Sequence, residues 1–375
     1  MARARVELRS LTGLRFVAAL LVLGYHALFS FPSAPPRLTP GIVRSVLGSG
    51  HVGVNLFFVL SGFVLAYTYV DREAMTTTAR AFWRARFARV YPMHLVGLLA
   101  AAPLYVMAWR ANRAHDAQIA RELARQLAVT GALVQAWIPA DAFDLNGPSW
   151  SLSVEAFFYA CFPLLARVLV RMRTPALGGL LAVAWVGALA PAVVVGSKAT
   201  GIASASPVDL IVLLDPVARL PDFVIGAATG MIFVRRTRPG RGSGVWPLLS
   251  VTCGVAVIAV LACSERLPWM ALHVGLLDPL WALLLFSLAC TDDGPAEGRA
   301  GGGLGSAPLV LLGRASYSLY AIHKPLYYWL VRWAGAGHPS WGFVAAYVAT
   351  SIALSVALWW GYEEPMRRWI APKPR

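Results

Sequence analysis

Arg15 and His26 bracket ten mostly apolar residues, Phe16 to Tyr25. On a helix turning about 100° per residue, eleven steps return almost to the starting angle, so the two side chains share a face about 16 Å apart along the axis. Ionisable groups inside a membrane segment are costly and usually mark a site. The pattern sets a cation near one surface and a proton-transfer group deep in the bilayer. The plainer alternative is an arginine snorkelling to the interface and a histidine that packs neighbouring helices.

Four further constellations carry chemistry. Arg86 and Arg89 stand three apart before Tyr91-Pro92, so on a helix they project together and suit bidentate phosphate binding. Tyr-Pro is expected to fix the helix start. Trp150-Ser-Leu-Ser-Val-Glu155 puts a carboxylate in the first turns of another apolar run. By depth it should lie level with His26 and orient its ring, as a general base requires; a structural bond to Ser151 or Tyr159 is the competing role. Arg219 and Asp222 are three apart and can pair with each other. Tyr317, Tyr320, His323 and Lys324 fall mid-run, and adjacent His323 and Lys324 cannot both face one cavity. In Gly53 to Phe63, small residues permit close helix approach, and Asn55 and Ser61 add polar groups. Glu363-Glu364-Pro365 caps the last apolar run.

These residues need a membrane scaffold. Apolar residues make up 58% of the 375 positions and charged ones 14%, with a mean hydropathy of +0.62. A soluble domain is excluded. The net charge of +15 comes from arginines clustered between apolar runs, a topology signal and not a nucleic-acid footprint. The four cysteines lack metal-ligand spacing and read as packing residues, and no metal site is expected. The expected fold is all-α, a polytopic transmembrane helix bundle of about ten spans, near 11–31, 52–70, 90–109, 150–170, 176–196, 217–234, 245–263, 270–290, 313–334 and 341–362. Residues 1–375 read as one integral membrane domain. The first run is an uncleaved span, since Arg15 interrupts it and no small-residue cleavage site precedes Pro32. With cytoplasmic termini, inner segments hold about 22 of the 33 Lys and Arg, which fixes the orientation in a cell membrane. Residues 110–149 resist this scheme; an interfacial or re-entrant helix suits them better than an eleventh span. Thr291 to Ser306 reads as a Gly-rich connector.

Arg15-x10-His26, Gly53 to Phe63, Arg86-x-x-Arg89-Val-Tyr-Pro, Trp150-Ser-Leu-Ser-Val-Glu155, Arg219-Leu-Pro-Asp222-Phe, Tyr317-Ser-Leu-Tyr-Ala-Ile-His-Lys-Pro and Glu364-Pro365 occur in order. Together they resemble the acyltransferase-3 family of integral membrane O-acyltransferases. The resemblance implies transfer of an acyl group, most often acetyl, from a coenzyme A thioester to a carbohydrate hydroxyl of a surface glycan or a glycosylated metabolite such as a macrolide. No permanently bound cofactor is expected; acyl-CoA is the donor. Joined to the spacing, it implies phosphate binding by Arg15, Arg86 and Arg89 and catalysis by His26 oriented by Glu155. Acceptor contacts are expected from Ser153, Asp222, Tyr317 and His323, Ser153 being also a candidate acyl carrier. Direct transfer is preferred, because no serine has an adjacent base in sequence. A non-enzymatic glycolipid or acyl-group transporter is the alternative that needs no donor site.

Overall fold

The computed structural model describes residues 6–30, 41–112, 115–236, 244–293, 303–334 and 340–371. Most of the Gly-rich connector falls outside them. Among the described residues the chain is all helix and turn, apart from one isolated bridge between Val70 and Met75. In order the helices are α1 (Arg9–Tyr25), α2 (Gly41–Gly48), α3 (Val52–Tyr69), α4 (Ala79–Ala111), α5 (Asp116–Gly131), α6 (Trp150–Arg171), α7 (Thr174–Val195) and α8 (Pro207–Leu214). There follow α9 (Leu220–Arg235), α10 (Val245–Ala262), α11 (Trp269–His273), α12 (Asp278–Asp292), α13 (Ala307–Ala334), α14 (Trp341–Leu358) and α15 (Glu364–Ile370). Eight helical stretches are long and apolar enough to cross a bilayer. The other two expected spans correspond to α9, buried on nearly all sides, and to the more polar α13.

Close helix approach sets the frame. A Cβ on Gly226 of α9 would lie 1.8 Å from the Val59 carbonyl oxygen, and one on Gly62 of α3 would lie 2.1 Å from that of Phe223. Gly313 of α13 meets the Thr12 carbonyl of α1 as tightly, at 1.8 Å from a built Cβ. Without side chains at these crossings the backbones touch, as small residues allow between membrane helices. Phe58, Phe158, Phe162 and Phe223 fill the space where α3, α6 and α9 converge.

Contacts sort the helix ends into two faces. Arg314 pairs with Glu7, Arg84 donates to the Ile370 carbonyl, and Arg236 pairs with Asp293. Arg235 donates to the carbonyls of Leu169, Val170 and Met172. The arginine-rich segments thus gather on one basic face. Ser264 and Ser45, hydrogen-bonded at 3.3 Å, mark the opposite one.

One element differs from expectation. α4 starts at Ala79 and not near residue 90: Thr78 caps it by accepting from the Ala81 amide at 3.3 Å, and Pro92 lies inside the helix. Proline costs one backbone bond there, which packed membrane helices tolerate. The segment after α4 turns back toward the bundle. α5 folds back along α4 until the Thr130 carbonyl meets His94 Nε2 at 2.8 Å. The chain then stays within the bundle, where Asn146 Nδ2 donates to the Ala321 carbonyl at 3.1 Å. At the start of α6, Ser151 Oγ lies 2.7 Å from the Tyr320 hydroxyl of α13. Cys263 is exposed, unlike buried Cys253 and Cys290.

Candidate active site

Two cavities line up along α1. The one nearer the basic face is a slot of about 100 Å³ walled by Arg15, Arg86, Arg89, Ser61, Glu155, Tyr159 and Tyr317. The second is a vestibule of about 1170 Å³ toward the opposite face, lined by His26, His51, Trp150, Arg219, Trp269 and Lys324, among others. Val54 and Tyr320 belong to both walls. The Tyr320 hydroxyl donates to the Pro148 carbonyl at 2.8 Å and lies 2.7 Å from Ser151 Oγ. Its ring therefore forms a fixed partition where the cavities meet. The spacing of Arg15 and His26, about 16 Å, carries one into the slot and the other into the vestibule.

His26 begins a wide π-type turn, His26–Ser30, at the end of α1, a departure from regular helix common at functional sites. Its Nδ1 lies 2.8 Å from the Val22 carbonyl. A carbonyl only accepts, so Nδ1 carries the proton and Nε2 is the basic nitrogen. The ring edge meets that of His323 with centroids 4.9 Å apart. His323 is held in turn by its Nδ1, 2.9 Å from the Tyr320 carbonyl.

Glu155 sits in the slot and not in the vestibule wall with His26. It lines the slot with the arginines, where Ser61 Oγ donates to it at 3.1 Å and the Tyr159 hydroxyl also donates. His26 meets the Val22 carbonyl and the His323 ring. Counting depth from the opposite face takes α6 to start there, but the residue after Trp150 already meets Tyr320, with Ser151 Oγ 2.7 Å from its hydroxyl. Ser153 is not brought to His26 either. It is 1% exposed, accepts from the Ala136 amide at 3.3 Å and borders neither cavity. Asp222, also 1% exposed, pairs with Arg219 at 2.8 Å and lies in neither wall. Tyr317 faces the slot and donates to the Val90 carbonyl at 2.6 Å. Of His323 and Lys324, Lys324 is the one in the vestibule wall.

The arginines differ in their partners. Arg89 is ion-paired with Glu363, which is 1% exposed and also accepts from Ser318 Oγ at 2.5 Å. Its guanidinium lies 5.6 Å from the Tyr317 ring centroid. Arg86 donates to the Tyr69 hydroxyl at 2.8 Å and rests among the rings of Tyr69, Phe82 and Tyr159. Arg15 makes no hydrogen bond or ion pair among the described residues. Three arginines face two carboxylates, so the slot keeps a positive excess, and Arg15 has guanidinium donors to offer an anion. Glu363 was read only as a cap of the last run. Its partner is 274 residues away, a distance no local pattern spans, although the second π-type turn, Trp359–Glu363, brings it there. No cluster of metal-ligating side chains occurs among the described residues.

The family model for an acyltransferase domain matches residues 8–360. The chain is 33% identical over 331 residues to the acyltransferase MdmB of Streptomyces mycarofaciens, covering 85% of this chain and 78% of that protein. It is 36% identical over 166 residues to protein 2 in the picA locus of Rhizobium radiobacter, covering 40% of this chain and 78% of the other. A third relative, the peptidoglycan O-acetyltransferase OatA of Listeria monocytogenes, is 24% identical over 180 residues, 45% of this chain and 25% of that one. No solved structure matches. With the family model spanning nearly all of the multi-pass membrane bundle, the chain belongs to the acyltransferase family.

Proposed function

We propose that the protein transfers an acyl group from acyl-CoA to a carbohydrate hydroxyl, on a surface glycan or a glycosylated metabolite. The observation that carries this reading is the meeting of an arginine-lined slot and a histidine vestibule at Val54 and Tyr320. CoA phosphates bind at the basic face, which is cytoplasmic, with Arg15 and Arg86 contacting them and Arg89 held beside them by Glu363. The pantetheine arm threads the slot past Tyr320 and presents the thioester to His26. A hydroxyl in the vestibule gives its proton to His26 Nε2 and attacks the thioester carbon directly. Trp150 and Trp269 offer apolar faces on which a sugar ring can lie.

The test is CoA release and label transfer by purified protein with labelled acetyl-CoA and a panel of glycans and glycosides. His26→Ala is expected to abolish both while the protein still folds. Full turnover in that variant would remove His26 from the chemistry. A wild type that releases no CoA with any acceptor or acyl donor would sink the reading as a whole.

A further inference from the structure

Resting on that reading, we infer that Lys324 is a second catalytic residue, the cation that meets the oxyanion formed when the thioester is attacked. Lys324 shares the vestibule wall with His26 and follows His323, whose ring packs on that of His26 at 4.9 Å. Its ammonium lies against Gly147: a Cβ built on that glycine would fall 2.3 Å from Nζ. The turn Gly147–Ser149, itself part of the vestibule wall through Gly147 and Pro148, leaves room for the group to sit there. Among the described residues Lys324 has neither a hydrogen bond nor an ion pair. Asp144, which shares a third cavity of about 460 Å³ with Lys324, accepts from Gln126 at 2.8 Å. The other deep cation of this wall, Arg219, is spent on Asp222 and on the His273 carbonyl, at 2.8 Å each.

An unpaired half-buried cation beside a general base is costly to keep unless negative charge arrives. The reaction supplies it. As the acceptor hydroxyl loses its proton to His26 Nε2, the new C–O bond pushes the carbonyl π pair onto oxygen, which becomes an alkoxide facing Lys324. Collapse restores the C=O bond, breaks the C–S bond and releases CoA thiolate, which takes the proton from the His26 imidazolium. Charge develops only in the transition state, so the lysine acts on the chemical step and not on ground-state binding.

The experiment compares kcat and KM for donor and acceptor in wild type, Lys324→Met and Gly147→Ala. Methionine keeps length and removes charge. Alanine at 147 keeps the charge and displaces it, at a position with no positive φ to strain. Both variants are expected to lose about 10²- to 10³-fold in kcat, with both KM values within about threefold of wild type and unchanged thermal unfolding. Lys324→Arg is expected to recover part of the loss. A kcat near wild type in Lys324→Met, or a loss expressed only in the acceptor KM, overturns the assignment. If wild type itself releases no CoA, the reading beneath it has failed; if wild type is active and His26-dependent while Lys324→Met is undiminished, only this inference has.

Discussion

Arg15 and Arg89 have the same side chain and line the same slot, but their surroundings give them different work. Arg89 neutralises a carboxylate that is 1% exposed; removing one member of a buried pair typically costs about 3–5 kcal/mol. Arg15 has no internal partner among the described residues, so its loss strands nothing. Arg89→Ala is therefore expected to lower the unfolding temperature clearly, and Glu363→Gln to do likewise. Arg15→Ala is expected to leave stability nearly unchanged and to raise the KM for acyl-CoA about tenfold or more, the worth of a charge-assisted contact of roughly 1.5–3 kcal/mol. Thermal unfolding and donor KM measured on the same preparations separate the two roles. An Arg15→Ala protein with wild-type donor affinity would take that arginine out of the donor site.

The elements explain what was readable and what was not. The shared face of Arg15 and His26 followed from helical periodicity, and so did the common projection of Arg86 and Arg89, because both depend on spacing within one helix. The depth of Glu155 did not, because it depends on how far the stretch between α4 and α6 sinks into the bundle. That is fixed by tertiary bonds such as Asn146 to Ala321. The ion pair of Arg89 with Glu363 was hidden for the same reason. Glycines were half legible: the sequence marked Gly53 to Phe63 as a close-packing stretch, and the structure pairs its Gly62 with Gly226. Gly226→Ala is expected to force α3 and α9 apart and cost about 1–3 kcal/mol, the range for overpacking. Gly254→Ala in α10 has nothing within 4 Å of the new methyl and is expected to be neutral or to stabilise by up to about 1 kcal/mol. Thermal unfolding in one detergent compares them; equal effects would mean that the α3–α9 crossing is not tight.

For the molecule as a whole, function depends on which way the two cavities face. The slot opens among segments that carry most of the arginines, and the vestibule opens toward Ser264 and Glu265. Positive charge favours the cytoplasmic side, which is also where acyl-CoA is available, so charge and chemistry ask for the same orientation. Cys263, exposed at the end of α10 beside the vestibule mouth, reports on it. Cys161 is half-buried, and Cys253 and Cys290 are buried. A membrane-impermeant maleimide added to intact cells is expected to label wild type and to miss Cys263→Ser. Labelling that appears only after the membrane is opened would reverse the molecule. The arginine slot would then face a compartment without CoA thioesters, and a donor entering through it would have no source. Orientation therefore stands or falls on one cysteine, and with it the side from which a CoA thioester can reach the slot.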